Sequence, residues 1–213
     1  MQIQRVSNAG VLLQLDGVKL LLDGFCQAVG PYLATPALVC DRLLAEPADL
    51  AAFTHEHADH FHAALVSQYR KQTLRPVLGP ENLPHGTTTR GVAVGGVSIQ
   101  PVKSRHLGKE ADIPHVSFAV RGSRTVWFMG DAAPAQWHGL QERADVIIAP
   151  FAYAMSESAW HMTCSLADTV VLVHMPLRDN DPAGLWPQVE AVTKAYCPVA
   201  LHIPQIGETI AIP

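Results

Sequence analysis

Between Phe53 and His62 the chain reads Phe-Thr-His-Glu-His-Ala-Asp-His-Phe-His, which places four of its 11 histidines in ten positions. Imidazole and carboxylate together suit zinc, iron or manganese. On an extended segment residues i and i+2 point the same way, so His55 and His57 can reach one ion. Once the chain turns, Asp59 and His60 can face a second ion beside the first. A lone histidine on an apolar face reads as a satisfied core residue, and a metal-storage tract would lie in a polar tail. This segment instead follows an apolar run and precedes an amphipathic one. Histidine also outnumbers lysine 11 to 5 in the whole chain, an unusual balance unless imidazole is used as a ligand or a near-neutral titrating group.

The flanking elements have to carry this cluster. Val11 to Leu15 and Val18 to Leu22 flank Asp16-Gly17, a hairpin signal. Thr35 and Pro36 suit the N-cap and first position of a helix through Leu44. Leu50 to Thr54 reads as a short strand running into the histidine motif, Phe61 to Lys71 as a helix, and Thr73 to Leu78 as a strand. Further strands are expected at Val92 to Val94, Val97 to Val102, Val116 to Val120, Thr125 to Met129, Val146 to Ala149, Thr169 to Val173 and Val199 to Ile203. Helices are expected at Pro134 to Glu142, Ser156 to Ala167 and Leu185 to Tyr196. Strands first, then helix–strand alternation, twice over, suits sheets covered by helices on their outer faces. With no low-complexity linker, residues 1–213 read as one domain.

Bulk composition excludes other classes. A chain of 213 residues with 48% hydrophobic and 16% charged residues can bury a sizeable core and is not globally disordered. A net charge of −4 gives no overall basic field for a nucleic-acid backbone. No signal peptide is recognisable, and the longest apolar stretches are far short of the roughly 20 residues a membrane helix needs. The four cysteines, Cys26, Cys40, Cys164 and Cys197, lie far apart without a CxxC pair, which favours free thiols in a cytoplasmic protein.

THEHADHF resembles the first metal motif of the metallo-β-lactamase fold superfamily, and the opening SNAGVLLQLDGVKLLLDG resembles its first strands. The style is most similar to the small cytoplasmic hydrolases related to L-ascorbate-6-phosphate lactonase. The resemblance implies an α+β fold, a four-layer αββα sandwich of two mixed sheets flanked by helices, with a metal site along one edge. It also asks for a later His, Asp and His, each just after a strand. His106 in KSRHLG, Asp131 in FMGDAA and His174 in VLVHMP match in order and context. His55, His57 and His106 would then hold one ion and Asp59, His60 and His174 a second, with Asp131 bridging. Zinc is the expected metal, with iron or manganese as alternatives. Two such ions can share a water and lower its pKa towards neutrality, giving a hydroxide nucleophile. Asp59 would orient it and act as general base.

His115 is the competing mid-chain candidate; His106 is preferred because it sits directly at a strand end. His115 and His161 are then pocket candidates, and Asp23 is placed to accept an imidazole N–H, as the equivalent carboxylate does in relatives. His62, His85, His138 and His202 read as surface or supporting groups. Two departures stand out: Asn8 where relatives carry a histidine in the first turn, and Gly24 where many have proline. Neither touches an expected ligand, but both tell against carrying the substrate of the lactonase branch over to this chain. Arg105 and Lys109 beside His106 could attract an anionic substrate. The expectation is a hydrolase acting on an ester, lactone, thioester or phosphodiester of a small molecule, with homo-oligomerisation left open. The competing reading is a mononuclear iron dioxygenase on the same scaffold. Nucleic acid and membrane partners are not expected.

Overall fold

A computed structural model describes residues 1–80, 91–109, 112–134 and 142–213. Strands β1 (Gln2–Arg5), β2 (Val11–Leu15), β3 (Val18–Leu22), β4 (Leu50–Ala52), β5 (Val77–Leu78) and β13 (Thr209–Ala211) form a mixed six-stranded sheet ordered β13-β1-β2-β3-β4-β5. The second, seven-stranded sheet has the order β12-β11-β10-β9-β8-β7-β6. Its members are β6 (Val92–Val94), β7 (Val97–Arg105), β8 (Pro114–Arg121), β9 (Thr125–Phe128), β10 (Ala144–Pro150), β11 (Ala167–Val173) and β12 (Ala200–His202). Asp16 and Gly17 both take positive φ, so the two-residue turn matches the strand twist and fixes the Leu15–Val18 register.

Period-two burial stacks the layers. Val11, Leu13 and Leu15 of β2 turn one face inward, where they meet Val116, Phe118 and Val120 of β8 in a core between the sheets. The outer face of the first sheet packs on helices α1 (Ala37–Ala45) and α2 (Ala63–Thr73) through Leu43, Ala51, Phe53 and Tyr69. The outer face of the second packs on α3 (Glu157–Leu166) and α4 (Leu185–Ala195) through Ile147, Leu172, Trp160 and Trp186. The parallel strands β10 and β11 are buried on both faces, and both read as nearly unbroken apolar runs. The result is the expected αββα sandwich.

Strand direction places the site. β3 and β4 are parallel, so Asp23 and the histidine motif leave the first sheet at one edge. β7 and β9 are each antiparallel to β8, while β9, β10 and β11 are mutually parallel. β7, β9 and β11 therefore run the same way, and His106, Asp131 and His174 lie just past their C-terminal ends. Loops at the carboxyl ends of strands are where such sheets place their ligands.

Several local expectations are corrected. Thr35 does not cap α1: Pro36 does, and the Thr35 hydroxyl donates to the Gly24 carbonyl and accepts from the Cys26 amide. α2 runs through Thr73 and ends on Leu74 in the left-handed conformation, so only Val77–Leu78 of the expected Thr73–Leu78 strand forms. β8 begins at Pro114, two residues before the expected Val116, so His115 lies within the strand. β1 and β13 were not anticipated. Most of the expected Pro134–Glu142 helix, with His85 and His138, lies outside the described residues. All four cysteines are free thiols. Among the described residues no helix is long and apolar enough to cross a membrane.

Candidate metal centre

The first sheet contributes a contiguous cluster held by its own side chains. Asp23 follows β3 at φ +47°, a left-handed conformation that aspartate tolerates better than most residues. It is fully buried and accepts from the Thr54 amide at 2.7 Å, the Thr54 hydroxyl at 2.6 Å and His60 Nδ1 at 2.8 Å. These bonds settle two tautomers. His60 holds a proton on Nδ1, so Nε2 is the nitrogen left to face a ligand. The Thr54 hydroxyl has spent its hydrogen on Asp23, so at 2.9 Å it accepts from His55 Nδ1, and His55 also presents Nε2. His55 Nε2 lies 3.0 Å from His57 Nδ1.

The second sheet contributes three residues from three strand ends. His106 donates from Nδ1 to the Leu107 carbonyl at 2.6 Å, again leaving Nε2 for a ligand. Asp131 follows Gly130, which has φ +52°; a Cβ there would fall 2.7 Å from Thr54 Cγ2. Glycine thus lets the two sheets' loops touch. His174 holds φ +63°, a strained value for a non-glycine residue, and its amide donates to the Asn8 carbonyl at 3.1 Å. Behind it lies Arg5, 3% exposed. Its guanidinium donates to the carbonyls of Ser7, Asn8, Met175 and Pro204 at 2.7 to 3.1 Å, stapling the first turn to the loop that carries His174.

These groups converge. Ligand atoms of His55, His57 and His106 lie within 4.8 Å of one another, as do those of Asp59, His60 and His174. Asp131 lies between them, with Oδ1 3.4 Å from His60 Nε2 and Oδ2 3.8 and 3.7 Å from the Nε2 atoms of His106 and His174. Asp23, His55 and His60 also cluster, but both Asp23 oxygens accept hydrogen bonds from Thr54 and His60, which suits it to orienting the imidazoles. Among the described residues, His60 Nε2, His106 Nε2, His174 Nε2 and Asp131 Oδ1 are buried without a hydrogen-bond partner. Buried polar atoms rarely go unsatisfied. Four of them aimed into one space, in a nitrogen and oxygen donor set, fit cations.

The electrostatics agree. Burial alone would raise the Asp131 pKa, but His60 and His174 hold it well below the ordinary carboxylate range. Burial opposes a charge on His60, yet Asp131 and then Asp23 keep its pKa well above the usual imidazole value. Burial pushes His55 well down, and His106 down. Burial also acts against an ionised Asp59, but the neighbouring imidazoles of His174, whose Nε2 lies 3.1 Å away, and His60 keep its pKa low. The centre therefore sets the ionised Asp131 carboxylate beside His55 and His106, which burial keeps neutral, and His60, which the carboxylates keep protonated.

His115 is not gathered with the ligand atoms. It is 3% exposed, and both its ring nitrogens are engaged, by Ser104 Oγ at 2.7 Å and the Asp131 amide at 3.0 Å. His161 is exposed on α3 and packs against Tyr196 with tilted rings whose centroids are 4.2 Å apart. His62 caps α2, and its amide bonds the Phe25 carbonyl. His202 is half-buried in β12. Sequence reasoning missed Thr54, Arg5 and Tyr32. Thr54 adjoins the motif and could have been found. Arg5 gave only the weak signal of a charge on an otherwise inward strand position. Tyr32 meets the His174 ring edge-on at 4.5 Å, and burial, then Asp131 and Asp59, push its hydroxyl pKa up to about 12.

No curated protein sequence matches the chain. Solved structures match its fold throughout. A possible metal-dependent hydrolase from Veillonella parvula is 18% identical with a TM-score of 0.70, covering 100% of this chain and 99% of its own. Igni18, a metallo hydrolase from Ignicoccus hospitalis, is 18% identical with a TM-score of 0.67, covering 98% and 97%. An isothiocyanate hydrolase from Delia radicum gut bacteria is 18% identical with a TM-score of 0.66, covering 99% of each chain. With αββα layers, donor residues gathered at one sandwich edge, and a family model described as the beta-lactamase superfamily domain matching residues 2–175, the chain belongs to that superfamily.

Proposed function

We propose that this protein is a hydrolase that holds two zinc ions and cleaves an ester, lactone, thioester or phosphodiester bond in a small molecule. The observation that carries the reading is the convergence of unpartnered buried atoms from His60, His106, His174 and Asp131 beside His55, His57 and Asp59. His55, His57 and His106 would hold one ion and Asp59, His60 and His174 the other, with Asp131 shared. Two ions, when bound, supply Lewis acidity towards the substrate oxygen and lower the pKa of water towards neutrality.

The chain's own residues do the rest. Asp59 is only half-buried and, with its pKa held low by His174, stays ionised and able to take a proton from an attacking water. Asp23 and Thr54 fix the imidazole tautomers, so the donor atoms need no rearrangement. Next to the motif, Gln27, Glu56, Ala58, Phe61 and Ala63 line an open cleft of about 330 Å³, a size suited to a small molecule. Exposed Arg105 and Lys109 on the His106 side favour an anionic one.

The test is elemental analysis of the purified protein, then a panel of chromogenic ester, lactone, thioester, phosphodiester and isothiocyanate substrates. Two equivalents of zinc and hydrolysis of one class are expected, with His57→Ala and Asp131→Ala losing both metal and activity. One equivalent of iron would overturn the reading in favour of an iron oxidoreductase, and full activity in either variant would overturn the ligand assignment.

A further inference from the structure

Behind the candidate centre lies a buried polar chain that runs Asp131 amide, His115, Ser104, Ser117, Met129 carbonyl. The links measure 3.0 Å from the Asp131 amide to His115 Nε2, 2.7 Å from His115 Nδ1 to Ser104 Oγ, 3.1 Å from Ser104 Oγ to Ser117 Oγ, and 2.9 Å from Ser117 Oγ to the Met129 carbonyl. Ser104, His115, Ser117, Met129 and Asp131 are all buried.

The chemistry of the two ends fixes every proton between them. A backbone amide can only donate, so His115 Nε2 must be a bare acceptor. The neutral ring therefore carries its proton on Nδ1 and donates it to Ser104. A backbone carbonyl can only accept, so the Ser117 hydrogen goes to Met129, and the Ser104 hydrogen must go to Ser117. All four hydrogen bonds point the same way, and no polar atom in the chain lacks a partner. Burial pushes the His115 pKa down to about 3, in keeping with a ring that stays neutral.

The chain closes on the two residues flanking Gly130, whose φ of +52° sets the turn that aims Asp131. We infer that His115 is a positioning residue: its neutral Nδ1–H imidazole holds the Asp131 amide and so fixes the carboxylate shared by the two metal groups. The role rests on the two-ion reading in that Asp131 is taken as the shared ligand. It also explains why a histidine so near the centre is not a ligand. Both nitrogens are spent, and freeing Nε2 for an ion would leave the Asp131 amide unpaired in the interior.

Two measurements test this. In metal-free protein labelled with nitrogen-15 in its histidines, the ring of His115, assigned by its loss in His115→Gln, should show a proton on Nδ1 alone, and added zinc should leave its Nε2 signal in place. A proton on Nε2, or a zinc-induced shift there, would overturn the inference. Zinc titration against a competing chelator should show His115→Leu binding roughly 10- to 100-fold more weakly, the usual size for a group supporting a ligand. His115→Gln, whose amide oxygen can still accept from Asp131, should recover most of that loss, and Ser104→Ala should lose severalfold. Wild-type zinc affinity in His115→Leu sinks the idea. If that variant does not fold, unchanged affinity and an unchanged tautomer in Ser104→Ala do the same. Should wild type bind only one zinc, the two-ion reading falls, yet the metal-free tautomer still decides the role of His115.

Discussion

The two sheets build their halves of the centre by different means. The first sheet supplies five neighbours in one short stretch, Thr54 to His60, plus Asp23, and all but Asp59 fasten one another by side-chain bonds. The second supplies His106, Asp131 and His174 from three separate strand ends, and it fastens the latter two through the backbone. His115 grips the Asp131 amide, Asn8 grips the His174 amide, and Arg5 grips the Asn8 carbonyl in turn. One half concentrates its support in a single carboxylate, while the other distributes it over distant segments. The concentrated half should fail abruptly when one residue is removed, and the distributed half should loosen by degrees.

Asp23→Ala should do the most damage. It strips acceptors at once from the Thr54 amide, the Thr54 hydroxyl and His60. Removing one partner from a buried pair of this kind costs about 3–5 kcal/mol, and the thermal unfolding midpoint of the metal-free protein should fall accordingly. Zinc affinity should drop by about 100-fold. A variant that keeps wild-type zinc affinity would show that the first half is not organised around Asp23. Arg5→Leu should come next. It leaves the Ser7, Met175 and Pro204 carbonyls short of a donor, and at about 1–3 kcal/mol for each buried group left unmade a loss of about 3 kcal/mol is expected. Because the staple lies behind His174, the zinc assigned to Asp59, His60 and His174 should be the one lost, leaving one equivalent after mild chelation. Loss of both ions together would show that the two metal groups do not hold their ions independently.

Protonation offers a subtler comparison. The His60 pKa is raised in the folded, metal-free chain, so the stability it contributes is complete below the ordinary histidine value of about 6.5 and drains away as pH rises through the raised value. His55, His106 and His115 have lowered pKa values, so they begin to cost stability as pH falls below that same value. Metal-free stability should therefore peak near about pH 6.5 and decline on both sides. Zinc must displace the His60 proton, so its affinity should climb by up to about tenfold per pH unit while that proton is bound. Chemical denaturation with and without zinc should show the two curves diverging above neutrality. Parallel curves would mean that His60 does not hold the proton.

The same division explains what could be read before folding. HxHxDH was legible because its ligands are adjacent in sequence, so period-two geometry and a turn were enough to group them. His106, Asp131 and His174 could be placed only through order and strand-end context, because nothing local joins them. β1 and β13 escaped because they are four and three residues long and bring the two chain ends together, a pairing that no short-range pattern encodes. Thr35 was misread for a related reason: its hydroxyl is a good helix cap by type, but the Gly24 carbonyl and the Cys26 amide reach it first. His115 fell outside the expected Val116–Val120 strand, but proline is tolerated at the first position of a strand and β8 begins at Pro114.

Thr54 sits where the halves meet, and it yields the smallest effect expected. Its side chain serves Asp23 and His55 in the first half. Its carbonyl accepts from the Val116 amide of the second sheet at 3.1 Å, and its methyl group lies against Gly130. Thr54→Val keeps the shape and the backbone bonds but removes the hydroxyl. His55 Nδ1–H then loses its acceptor, and Asp23 keeps its amide and imidazole donors. One buried hydrogen-bonding group left without a partner costs about 1–3 kcal/mol, and zinc affinity should fall by about tenfold as the His55 tautomer is released. Thr54→Ser restores the hydroxyl while dropping the methyl, so it should recover zinc affinity to within a few-fold and separate hydrogen bonding from packing at the seam. If the serine variant binds zinc as poorly as the valine variant, the methyl contact with Gly130 is needed to align the two halves as much as the hydroxyl is.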